Sequence, residues 1–333
     1  MYLLLGLSIA LATVLLLNSL SSLVSSIVWK VIKPSSHRWS SATRAAVVCW
    51  LRLAPIALGF ACVLLLLLPS YFAHESPTDH ESVSWKLAVV AGFSAIGIGV
   101  ALIRSFVNRR ATSKLAAEWL LNATPIELPG INVPAFRLEH RFPVIAVVGM
   151  LRPKLFVANQ ALEALTPGEL CAAIQHEVQH IAAYDNLKRS LMRGCRDTLL
   201  LIPCGRPLDD AWKEASESAA DEQAARGGPL LALDLASALV KISRLIPRGV
   251  RPTMPAAALL VGYDEEGSVT ERVARLLRLA NDADHSSRSQ LVAPAMLSIC
   301  SALLSAMVLI AVNQPHVLAV VHTLMEYGVQ LLK

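Results

Sequence analysis

The sequence predicts a mainly α-helical membrane protein, with four transmembrane helices and an α+β domain between the third and the fourth. Three observations predict it. Of 333 residues, 54% are hydrophobic, and the mean hydropathy is +0.52, more apolar than an ordinary soluble domain. Four apolar runs, roughly 2–28, 45–69, 86–104 and 291–312, are long enough to cross a hydrocarbon core about 30 Å thick. Between 105 and 290 the pattern changes to short β-branched runs punctuated by proline, then to amphipathic helical ones.

The first run has no basic residue ahead of it and reads as an anchor, not a cleaved leader. The second contains Arg52 near its basic end, where a guanidinium can reach the interface along its own stem. Lys30, Lys33, Arg38 and Arg44 separate the first two runs. Arg104, Arg109, Arg110 and Lys114 follow the third, while Ser70 to Trp85 holds no Lys or Arg. The positive-inside rule then puts the amino terminus outside and residues 105–290 in the cytoplasm. Residues 313–333 become a short extracytoplasmic tail, amphipathic over 315–332. His74, Asp79, His80 and Glu81 form a weak metal-ligand cluster in the outer loop, for which a solvated polar loop is the plainer account.

The net charge of +5 comes largely from the cations flanking the membrane runs and suits anionic lipid head groups. No helix-turn-helix, zinc-finger or RNA-binding signature accompanies it, so direct nucleic-acid binding is not expected. Cys49, Cys62, Cys171, Cys195, Cys204 and Cys300 include no C-x-x-C pair and read as free thiols.

Within 105–290, residues 105–123 extend the third span as a helix. Pro125, Pro129, Pro134 and Pro143 then punctuate short strands, and Val144–Val148 and Leu155–Val157 flank a hairpin connection at 149–153. A small antiparallel sheet is expected here, whose edge could pair with an extended peptide. Helices are expected at 186–201, 208–226, 230–245 and about 269–281.

His176-Glu177-Val178-Gln179-His180 carries the chemistry. Histidines four apart on a helix share one face, so both can reach one Zn²⁺, and Glu177 between them is placed as general base for a water. Thr166-Pro167-Gly168-Glu169 announces that helix, with an N-cap Thr, a Pro at the first position and a Glu three residues after the cap. Two histidines at this spacing also occur as a hydrogen-bonded structural pair, so the context has to decide.

A catalytic zinc takes a third protein ligand and keeps one open position. The stretch 212–222 reads as a helix with Asp209 or Asp210 as N-cap and Gly227-Gly228-Pro229 as its stop. Glu217 and Asp221 share a face: Glu217 can bind metal while Asp221 orients a ligand histidine. Glu214 lies on nearly the same face and is the rival ligand. Small residues at 215, 216, 219 and 220 argue for close helix packing over a solvated acidic face. Arg272 and Arg275 are either surface arginines or positive groups beside a developing oxyanion. Tyr184 is either a packing residue or a second group reaching that oxygen.

HEVQH with Tyr184-Asp185-Asn186 after it, Glu217 to Asp221 as E-x-x-x-D, and the stretch Val148–Val157 with Leu165–Leu170 resemble the BlaR/MecR-type antirepressors. These are integral-membrane zinc metallopeptidases of gluzincin-like type. A more distant likeness is to the CAAX-type and stress-response membrane proteases. The resemblance implies a zincin-like domain, one Zn²⁺ on His176, His180 and Glu217, Glu177 as catalytic base and Asp221 behind a ligand. It also implies a bacterial inner-membrane location and a cytoplasmic protein substrate, a transcriptional repressor being the family's example. The family's sensors carry a penicillin-binding domain after the last membrane helix; here about twenty residues follow it, and β-lactam sensing is not expected. A quality-control membrane protease would use the same residues. A metal-stabilised transducer without catalysis would have no need of Glu177.

Overall fold

The computed structural model describes residues 2–75, 82–128, 131–199, 205–245, 266–281 and 314–332, with a few helical positions between 298 and 309. The fourth apolar run, 291–312, lies largely outside the described residues, as do Asp79, His80, Glu81, Cys204 and Cys300. The chain is mostly helical, with one small mixed sheet. Among the described residues three helices are long and apolar enough to cross a membrane: α1 (Tyr2–Ser36), the continuous rod Ser41–His74, and α4 (Trp85–Leu121). The rod consists of α2 (Ser41–Cys62), a π-helical turn at Val63–Leu67, and α3 (Leu68–His74). Serines cap the second and fourth helices: Ser40 accepts from the amide of Thr43, and Ser84 from that of Leu87.

The strands are β1 (Ala123–Ile126), β2 (Ala135–Leu138), β3 (Ile145–Val148) and β4 (Lys154–Ala158), in the order β1-β2-β4-β3. Two antiparallel pairs, β1/β2 and β3/β4, are joined by a parallel β2/β4 contact. The sheet is therefore mixed and not wholly antiparallel. Turn residues encode each local pair, whereas the contact between pairs is nonlocal and leaves no turn signal.

β3 is buried at every position because helices cover both faces of the sheet. Ile145, Val147, Leu155 and Val157 face a core shared with α6 (Pro167–Ala182) and α9 (Pro229–Leu245). Val144, Ala146, Val148, Phe156 and Ala158 face Trp119 at the end of α4. At the β3–β4 turn Gly149 has φ 115, and a Cβ there would meet the carbonyl oxygen of Arg152 at 2.7 Å. A side chain at this position would be strained on both counts.

The remaining described helices are α5 (Asn159–Ala164), α7 (Asp185–Asp197), α8 (Arg206–Ala225), α10 (Glu266–Asn281) and α11 (Pro315–Leu331). α8 starts before the acids expected to cap it, with Gly205 at the cap and Pro207 in the first turn. α8 runs antiparallel along α2, bonded at three levels. Ser41 donates to Glu222, Arg44 pairs with Glu214 at 3.2 Å, and Arg52 pairs with Asp209 at 2.9 Å. Arg52 is only 2% exposed. It does not extend to an interface as expected, because Asp209 meets its charge within the protein. The C-terminal end of α7 is clasped in turn. Asn18 of α1 donates to the Thr198 hydroxyl, Arg104 of α4 pairs with Asp197 at 2.8 Å, and a Cβ on Gly97 would meet the Thr198 carbonyl oxygen at 2.5 Å.

Candidate metal centre

α6 begins with the expected capping box, in which Thr166 accepts from the Glu169 amide and Glu169 accepts from the Thr166 amide. Glu169 also accepts from Ser237 and Lys241 of α9, at 2.5 and 2.7 Å. Burial opposes its charge, but those donors hold the carboxyl down at about 2. The helix is thus pinned at its start. One face, with Ala172, Ala173 and Ile174, packs into the core, and the next turns carry His176, Glu177 and His180, all buried.

α8 brings Glu217 to the same place. Its buried small residues Ala215, Ser216, Ser218, Ala220 and Ala224 let the helix approach closely. His176 Nε2 and His180 Nε2 are 3.2 Å apart. The Glu217 carboxylate lies 3.6 Å from the first and 3.7 Å from the second. Donors about 2.0–2.1 Å from one tetrahedral ion would be separated by about 3.3 Å, so this set could hold a metal ion. Glu214 is excluded from it: its side chain is 63% exposed and is paired with Arg44.

The tautomers point the same way. His180 Nδ1 lies 2.7 Å from Asp185 Oδ2. His176 Nδ1 lies 3.0 Å from Asp221 Oδ1, at an angle that misses a good hydrogen bond. An ionised carboxylate only accepts, so each Nδ1 carries a proton and Nε2 is the atom each ring offers to a metal. Two lone pairs 3.2 Å apart repel unless something positive lies between them, a proton or a metal cation. Burial opposes charge on His176, but Asp221 and Glu217 push it up to about 9. Metal binding would therefore release a proton.

Glu177 is 1% exposed, and its Oε2 is buried without a hydrogen-bond partner. Burial pushes its carboxyl up to about 7, with the adjacent histidines pulling the other way. An orphaned carboxylate oxygen inside a protein is costly, which makes Glu177 a candidate functional residue.

Arg272 belongs to this site and not to the surface. It is 4% exposed and clasps Asp221 with two bonds, Nε to Oδ2 at 3.0 Å and Nη2 to Oδ1 at 2.7 Å. Its Nη1 lies 3.2 Å from Glu217, and Nη2 lies 3.4 Å from His176 Nε2. Arg275 approaches Asp221 at 3.9 Å. Burial alone would raise Asp221, but Arg272 and His176 hold its carboxyl below the usual range. Tyr184 stands apart, 62% exposed at φ 55, and neither packs nor enters the cluster. Its left-handed turn has a different consequence: α7 starts immediately and folds Asp185 back beside His180.

Asp185 is the residue of this cluster that motif reading left without a role. It receives His180 and also the Ser216 hydroxyl, at 2.6 Å. Asn186 next to it donates to the carbonyls of Val147 and Gly149, at 3.2 and 3.0 Å, fixing the turn to the edge strand. The available signal was an acid five residues after the second histidine, just past a helix reversal. No protein-family model matches the chain, and no curated protein matches it.

Proposed function

We propose that the chain is an integral-membrane zinc endopeptidase that hydrolyses peptide bonds of a cytoplasmic protein, in a signalling or antirepressor role. The observation that carries this reading is the convergence of His176, His180 and Glu217 beside the buried, unpartnered Oε2 of Glu177. Two imidazoles and one carboxylate are the donor set of gluzincin-like zinc proteases, which supports zinc and a zincin-like domain. Zinc held there would supply a Lewis acid that lowers the pKa of water towards about 7 and polarises the scissile carbonyl.

The chain's own residues account for the rest. Glu177 Oε2 takes the proton of the attacking water and returns it to the leaving amine. Asp185 and Asp221 hold both imidazoles with Nε2 inward. Arg272 keeps Asp221 ionised and oriented, and leaves Nη1 near Glu217 where negative charge would develop. The loop charges support an outside amino terminus and a cytoplasmic 105–290, hydropathy supports a fourth span at 291–312, and the motif resemblance supports a bacterial cell membrane. The motif resemblance supports a repressor-like substrate of the BlaR/MecR type. A metal site kept only for folding would gain nothing from the buried Glu177, so the catalytic reading is preferred.

The test compares full-length protein with Glu177→Gln in membranes, by mapping new peptide termini across the cytoplasmic proteome. The variant should keep its metal and lose about 10²–10⁴-fold in cleavage rate. Equal cleavage by both would remove the base assignment and the enzyme with it.

A further inference from the structure

A cavity of about 1050 Å³ has none of the metal-centre side chains in its lining. It lies where α2, α4, α7 and the β3–β4 turn meet. Part of its wall is formed by Ile56 and Phe60 of α2 and by Ile98 and Leu102 of α4, which belong to helices long and apolar enough to cross a membrane. Three cations, Arg109, Arg152 and Lys154, also line it. Among the described residues none of these three cations has an acidic partner within 4.0 Å; Lys154 lies over the face of Phe136, at 6.0 Å. Arg109 lies about 10 Å further along α4 than Leu102, at 1.5 Å per residue. That spacing matches the step from acyl chain to head group. At the turn, Leu151 is 71% exposed beside Arg152, as an interfacial anchor would be.

We propose that this cavity binds an anionic phospholipid, with an acyl chain between α2 and α4 and its phosphate among Arg109, Arg152 and Lys154. The apolar wall favours a lipid over an acidic peptide, because a peptide backbone laid against Phe60 and Leu102 at membrane depth would leave its amide and carbonyl groups unpaired. Three cations without an acidic partner among the described residues favour an anionic head group over a zwitterionic one. The volume lies just above the range of about 300–1,000 Å³ for ligand clefts and cavities, as a partly seated lipid needs. The inference requires α2 and α4 to cross a bilayer, and it does not depend on proteolysis.

The experiment titrates delipidated full-length protein in mild detergent with phosphatidylglycerol or phosphatidylcholine, read by native mass spectrometry. One bound phosphatidylglycerol is expected, with clear preference over phosphatidylcholine. The R109Q/R152Q/K154Q variant, altered only at polar positions around the cavity, should weaken it by about a hundredfold. Ala117→Trp, on an exposed lining position, should block it without touching any charge. Circular dichroism and metal content identify a variant that is merely unfolded. Equal binding of both lipids, binding indifferent to the triple variant, or occupation by an acidic peptide that displaces lipid would each overturn the proposal.

Discussion

Removing the Asp185 carboxylate should weaken metal binding, although this side chain is not itself one of the candidate ligands. Two donors converge on its Oδ2, His180 Nδ1 at 2.7 Å and Ser216 Oγ at 2.6 Å, in surroundings that leave the residue 4% exposed. A hydrogen bond to a buried charge contributes about 1.5–3 kcal/mol, and each 1.4 kcal/mol is about tenfold in affinity. Asp185→Ala therefore costs about a hundredfold, since both donors lose their acceptor and the imidazole is free to adopt the wrong tautomer. Asp185→Asn keeps an accepting oxygen but loses the charge that makes such bonds about twice as strong, and should cost only about fivefold. The assay is competition for zinc against a chelator of known affinity, on full-length protein in detergent, with thermal melting alongside. Glu214→Ala is the control and should leave affinity unchanged, because Glu214 faces solvent. A folded Asp185→Ala protein that binds within about twofold of wild type would refute the tautomer argument.

Acid stability should follow Glu169. Its carboxyl is depressed to about 2 in the folded chain, so its stabilisation is present above about 4.5, the ordinary glutamate range, and is lost as pH falls towards 2. Glu169→Gln and Lys241→Met should both flatten the melting temperature against pH over that window; an unchanged slope would contradict the assignment. Asp209→Asn strands the buried Arg52 and should destabilise the protein by about 3 kcal/mol. The double change Arg52→Met with Asp209→Asn should recover much of that loss, and a melting series in detergent distinguishes the two outcomes.

Much of the fold is legible in the sequence because its signals are local. Hydropathy marks the three long helices, and the capping box at Thr166 and the Gly227-Gly228-Pro229 stop mark helix ends within a few residues. HEVQH identifies its own face, and the four-residue spacing pairs Glu217 with Asp221. What escapes is decided across the chain. Nothing local distinguishes Arg272 from a surface arginine; only its packing 51 residues away from Asp221 buries it. Arg52 looks like an interfacial residue until Asp209 arrives from α8. The parallel β2/β4 pair follows from how two hairpins dock, and the left-handed Tyr184 turn that delivers Asp185 has no glycine to announce it. Glu214 and Glu217 differ by less than one helical turn, and the partner helix α2 separates them by engaging the first.

X-ray absorption at the zinc edge of the metal-loaded full-length protein tests the centre most directly. Two imidazole nitrogens and a carboxylate oxygen at about 2.0–2.1 Å are predicted, with one imidazole missing from the spectrum of His180→Ala. A sulfur shell, an oxygen-only shell, or a spectrum unchanged by that substitution would contradict the site.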